Sequence, residues 1–169
     1  MPLPPDLLIL KEFVFDHLGL ESSPVVPEAE SAEYGACSFQ LNRLVVRFRT
    51  AKITPTKTGQ FVTLWKRTEA GPIAPYEEAD DIDLFLVTTR KDERFGHFVF
   101  PKSALCKHGI LTSNGKEGKR AIRVYPPWDE TTSRQAEKTQ QWQLDYFLEI
   151  PLKAAAGLLL AKQLYAGKE

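Results

Sequence analysis

Leu44-Val45-Val46-Arg47-Phe48-Arg49-Thr50-Ala51-Lys52-Ile53 is the stretch on which the reading of this chain turns. Leu44, Val46 and Phe48 fall on one face of an extended strand and Arg47 and Arg49 on the other, the period-two alternation of a half-buried strand. Upstream, residues 36–41 form a second strand, and Asn42-Arg43 is a connection of hairpin length. Downstream, Thr54-Pro55-Thr56-Lys57-Thr58-Gly59 reads as a loop, and residues 60–67 as the strand that returns from it. The expectation is a basic hairpin, with Arg47 and Arg49 open to solvent opposite the core face.

Charge is sorted around this hairpin. Residues 34–68 contain no Asp or Glu but seven basic residues, Arg43, Arg47, Arg49, Lys52, Lys57, Lys66 and Arg67. Glu77, Glu78, Asp80, Asp81 and Asp83 follow as a compact acidic block, so a formal net charge of zero hides a dipolar surface. Either the two blocks pair with each other or the basic one meets an external anion.

Further out, Leu7, Leu10, Val14 and Leu18 recur at helical spacing, with Asp6 as a candidate N-cap and Gly19 as the stop. Residues 82–89 are apolar on both faces and read as a central strand. Gly96 to Phe100 is a short strand closed by Pro101, and residues 102–107 a single helical turn. Residues 109–111 and 121–125 read as two strands around a flexible tip. A helix is expected from Thr132, spaced to Gln135 as a capping box, through Tyr146, and a last one from Pro151. Helices at both ends and strands between them predict an α+β, or mixed α/β, fold: one domain over 1–169, with five to seven strands in a central mixed sheet flanked by an N-terminal and two C-terminal helices. Residues 5–150 form its core and 151–169 its terminal helix.

At 169 residues, with 43% hydrophobic and 26% charged residues, the composition is that of an ordinary globular protein. Cys37 and Cys106 lack a CxxC partner and a histidine cluster, which argues against a zinc site or a disulfide framework. Reduced thiols, the lack of a signal-like N-terminus and the lack of a long apolar run point to the cytoplasm and away from membranes.

The strings Glu33-Tyr34-Gly35-Ala36-Cys37-Ser38-Phe39, Phe48-Arg49-Thr50-Ala51-Lys52-Ile53-Thr54-Pro55-Thr56-Lys57, Gly59-Gln60-Phe61-Val62 and Trp65-Lys66-Arg67 resemble the MepB-like proteins of bacteria. Phe98-Val99-Phe100-Pro101-Lys102, Gly118-Lys119-Arg120-Ala121 and Tyr125-Pro126-Pro127-Trp128 extend the likeness. The resemblance implies a small cytosolic protein whose founding example is encoded beside a multidrug efflux pump. It also implies a restriction-endonuclease-like fold, a mixed sheet flanked by helices that binds nucleic acid, and it brings no established activity.

Three functions fit the residues. The first is phosphate binding on DNA or RNA through Arg47, Arg49, Lys52, Lys57, Lys66 and Arg67, extended by Lys119, Arg120 and Arg123. Such cations release condensed counterions, and interleaved Phe48, Phe61 and Trp65 can stack on unpaired bases unless they serve the core. This reading needs no cofactor. The second is a magnesium- or manganese-dependent nuclease or phosphodiesterase, with Glu33, Asp81 and Asp83 as metal ligands and Glu33, Asp83 and Lys52 as catalytic groups. A restriction-type site would carry a carboxylate two residues before its lysine, and Thr50 stands there before Lys52. The third is a protein-interaction module that docks a partner of opposite charge pattern.

Overall fold

The computed structural model describes residues 3–166. Pro4 is extended and α1 (Pro5–Leu10) starts behind it, running through a π turn (Lys11–Phe15) into α2 (Asp16–Leu18). Leu7, Leu10 and Val14 are buried as their spacing requires, and Gly19 ends the run in the left-handed conformation at φ 71°. Asp6 is not the cap. Its carboxylate is buried, taking a hydrogen bond from the Thr88 hydroxyl at 3.0 Å and an ion pair from Arg90, so it ties the helix to the sheet.

The strands are β1 (Val26–Pro27), β2 (Cys37–Leu41), β3 (Leu44–Thr50), β4 (Lys52–Ile53), β5 (Gln60–Thr63), β6 (Trp65–Arg67), β7 (Ile73–Pro75), β8 (Leu84–Lys91), β9 (Arg94–Pro101), β10 (Ala121–Val124) and β11 (Phe147–Ile150). The main sheet has six strands in the order β1-β2-β3-β8-β9-β11. It is mixed, because β3 and β8 run parallel while the other neighbours are antiparallel. The β2–β3 hairpin turns at Asn42, which takes the positive φ of 52° that its short polar side chain tolerates.

Every apolar residue of β8 is buried, as expected for a central strand: Leu84 and Leu86 face one core, Phe85 and Val87 the other. The first core lies under α1 and α5 (Ala154–Leu164), where Phe15, Ala161 and Tyr165 pack on Phe39, Val46 and Phe48. The second lies on the opposite face, under a three-stranded sheet of order β10-β5-β4, with α3 (Lys102–Lys107) and α4 (Arg134–Gln143) beside it. Sheet and helices thus form the expected α+β arrangement, with a small second sheet as an added layer.

Three local expectations change, and one strand is added. The strand after the Thr54–Gly59 loop pairs back across that loop with the two residues of β4 and not with β3, which gives its length to β8. β10 pairs with β5, not with residues 109–111. The cap of α4 is Ser133, one residue beyond Thr132, whose Oγ accepts from the Ala136 amide at 3.1 Å. The helix expected through Tyr146 is α4 followed by a 3-10 turn (Leu144–Tyr146), and beyond it residues 147–150, for which no element is expected, form β11 on the edge that β9 leaves, whose peptide groups need partners. Residues 167–169 of the expected terminal helix lie outside the described residues.

Candidate nucleic-acid interface

The alternation in β3 holds, but its second face is largely covered, with Arg47 half-buried. Arg49 is fully buried beneath the three-stranded sheet. Its Nε donates to the Thr63 carbonyl at 3.0 Å, its Nη1 and Nη2 donate to Glu28 at 3.1 and 3.2 Å, and its guanidinium lies 5.1 Å over the Phe85 ring. Arg47 also pairs with Glu28, at 3.2 Å, and stacks over Tyr76. Burial and the neighbouring Glu28 carboxylate raise the Tyr76 hydroxyl above its ordinary value. Arg49 is therefore a structural residue, correcting the expectation that it meets an external anion.

Much of the remaining basic block is answered from within the chain. Lys66 donates to Asp80 at 2.8 Å and to Glu77 at 3.1 Å, so the basic and acidic blocks touch here. Burial works against the charge on Lys66, yet these bonds outweigh it and hold the amine above its usual value. Arg67 pairs with Glu30 at 3.4 Å and lies over Trp65, and Arg120 pairs with Glu117 at 2.9 Å. Phe48 is wholly core.

The catalytic grouping does not assemble. Lys52 and Glu33 stand together, Nζ to Oε2 at 4.0 Å, beyond the C-terminal end of β3. Asp83 stands at the other end of the β3–β8 pair, where its carboxylate accepts from the Val45 amide at 2.8 Å. Seven residues at about 3.3 Å each put roughly 20 Å between them. Asp81 lies with Asp83 at that far end, beside Arg47 and Lys66. Among the described residues, no three His, Cys, Asp or Glu side chains cluster as a metal site.

What the fold does bring together is a row across the small sheet. In register, Lys52 of β4 faces Phe61 of β5, and Phe61 faces Arg123 of β10. Residues paired in this way share a face and stand about 5 Å apart. The intervening Gln60, Val62, Ile122 and Val124 are buried, so the row lies on the outer face. Lys52 is exposed over the Tyr34 ring at 4.7 Å, and the Arg123 guanidinium lies 5.7 Å over Phe61.

Arg123 also holds the β4–β5 loop, donating to the Gly59 carbonyl at 3.2 Å and to Thr54 Oγ1 at 2.9 Å, and that loop carries the exposed Lys57. A Cβ on Gly59 would come within 2.6 Å of the Tyr125 ring, so the loop seats tightly only because this residue is glycine. The row was not legible as such in the sequence. Lys52 and Phe61 belong to neighbouring strands, but Arg123 arrives from more than sixty positions away.

The MepB-like family model matches residues 28–149. The chain belongs to the MepB-like family. A crystal structure of MepB is similar to this MepB-like protein with a TM-score of 0.76 and 33% identity, covering 89% of this chain and 99% of that one. A bacterial homing endonuclease overlays with a TM-score of only 0.44 and 14% identity, over 92% of this chain and 88% of its own. No curated protein matches. No helix among the described residues is long and apolar enough to cross a membrane.

Proposed function

We propose that this MepB-like protein is a nucleic-acid-binding protein of the cytoplasm that grips a single-stranded stretch on the outer face of the β10-β5-β4 sheet. The observation that carries this is the cross-strand row Lys52–Phe61–Arg123, an aromatic ring between two cations on a rigid sheet. Cations on either side match phosphates along a strand, and a ring beneath a guanidinium offers a planar surface on which bases of any identity can stack. Lys57, on the loop that Arg123 braces, adds a third charge at the margin. Paired strands hold such a row more firmly than loops would. Cleavage is not part of the proposal, since Asp83 accepts a main-chain hydrogen bond far from Lys52 and Glu33.

Fluorescence anisotropy with single-stranded DNA, single-stranded RNA and duplex DNA of one sequence tests this. Single strands are expected to bind more tightly than duplex, with Phe61→Ala weakening them by about tenfold, the size of one stacking contact. Lys52→Ala is expected to weaken all three ligands alike. Absence of binding to every ligand at low salt, or binding indifferent to both variants in protein that still melts cooperatively, would overturn the reading.

A further inference from the structure

Clefts elsewhere on the molecule carry carboxylates in their walls, such as Glu78 and Asp83 beside α3, or Asp129 and Glu130 beside the Thr54–Gly59 loop. The cleft between β10 and α4 differs. Its volume is about 550 Å³, Lys119 and Arg123 line it, and among the described residues no carboxylate does. Cavities of this size hold small organic ligands and are far larger than a bare phosphate needs.

The other walls mix polar, aromatic and aliphatic side chains, the last from Ile110, Ala121, Ile122 and Ala136. Ser133 and Thr139 contribute hydroxyls and Gln135 an amide. Trp142 and His108 lie stacked with centroids 3.9 Å apart and planes 4° from parallel. Burial, and then the neighbouring Lys107, lowers the His108 ring below its ordinary 6.5, so at neutral pH it offers a neutral donor and acceptor. The cationic charge of this cleft therefore rests with Lys119, since the Arg123 guanidinium is held over Phe61 by the Thr54–Gly59 loop, while the flat aromatic surface lies by α4. Gly118 fixes where Lys119 starts: a Cβ there would stand 2.3 Å from the Ile110 carbonyl oxygen, and the Lys119 amide donates to that same oxygen at 2.8 Å.

We propose that this cleft takes a nucleotide carrying a terminal phosphate, with the phosphoryl group against Lys119 and the base toward the Trp142–His108 wall. The inference rests on the nucleic-acid reading, because Arg123 belongs to both the row and the cleft. A phosphomonoester is the fitting anion: it carries more charge than an internal diester, and an exposed lysine without a competing carboxylate rewards that difference. The phosphate can come from the end of a strand or from a free nucleoside monophosphate.

The test compares short single strands that carry or lack a terminal phosphate, at each end separately, by anisotropy. Calorimetric titrations with a nucleoside monophosphate, the unphosphorylated nucleoside and inorganic phosphate accompany it. A terminal phosphate at one end is expected to tighten binding by about tenfold, the size of one charge-assisted hydrogen bond. Lys119→Gln is expected to erase that difference and Lys119→Arg to keep it; Lys119 is exposed, so neither change threatens folding. Equal affinity with and without the phosphate, or a gain that survives Lys119→Gln, would overturn the proposal while leaving the row's function standing. If no strand binds, the row's function fails and the titrations decide for the cleft. Uptake of the monophosphate but not the nucleoside, lost in Lys119→Gln, supports it, and silence overturns it.

Discussion

Arg49 and Glu28 form a two-pronged ion pair inside the second core, Nη1 to Oε2 at 3.1 Å and Nη2 to Oε1 at 3.2 Å. Arg47 and the Tyr76 hydroxyl share the same carboxylate, at 3.2 Å each. A charge taken this far out of water persists only where hydrogen bonds answer each of its polar atoms. Here the Thr63 and Phe48 carbonyls supply what Glu28 does not.

Arg49→Ala therefore removes one half of a buried pair, and is expected to cost about 3 to 5 kcal/mol, measured by urea denaturation. Arg49→Lys is expected to recover little of this, since an ammonium cannot reproduce the planar fork. A lysine variant as stable as the wild type would show that the fork is not what holds this core.

A second test concerns the outer edge of β10. The buried Gln143 side chain acts there as a one-residue strand: its Oε1 accepts from the Tyr125 amide at 2.8 Å, and its Nε2 donates to the Arg123 carbonyl at 3.0 Å. Gln143→Leu keeps the volume but leaves two main-chain groups unpaired, at about 1 to 3 kcal/mol each. Thermal denaturation, with faster hydrogen exchange at the Tyr125 amide, would register it. Unchanged exchange would mean that water replaces the glutamine.

Acid should loosen the docking of α5. His97 is fully buried with its Nε2 2.7 Å from the Tyr165 hydroxyl. Burial lowers its value from 6.5 to about 3, against an opposing pull from the Leu148 main chain. The unfolded chain takes up this proton near 6.5 and the folded chain only near 3. The stabilisation is therefore full above 6.5 and is lost as the pH falls toward about 3, at about 1.4 kcal/mol per pH unit. Urea denaturation across this window is expected to show a shallower pH dependence for His97→Leu than for the wild type. Parallel slopes would mean that the histidine is already charged in the fold.

Salt dependence reports how many cations the bound strand uses. Lys52, Lys57 and Arg123 predict a slope of log K against log salt near roughly −2, at about 0.7 per phosphate for a single strand. A value near roughly −4 would imply that about six cations are engaged, including residues such as Lys66 and Arg67 that here pair with Asp80 and Glu30. A flat dependence would exclude phosphate contacts as the source of binding.

Local pattern determined much of this protein. The alternation of Leu44 to Arg49 marks β3, the doubly apolar run of Leu84 to Val87 marks its central neighbour β8, and Leu7, Leu10 and Val14 mark the first helix. Each follows from which side chains one short segment can bury. Tertiary structure alone decided what covers each face and which distant strand lies alongside. Arg49 is buried because a second sheet closes over a face that the sequence left open, and Phe147 to Ile150 is a strand because β9 offers it an edge. Lys52, Phe61 and Arg123 form one row only because β10 pairs with β5. Pairings of that kind are set by whole-chain packing and closure of long loops, and no period in the sequence encodes them.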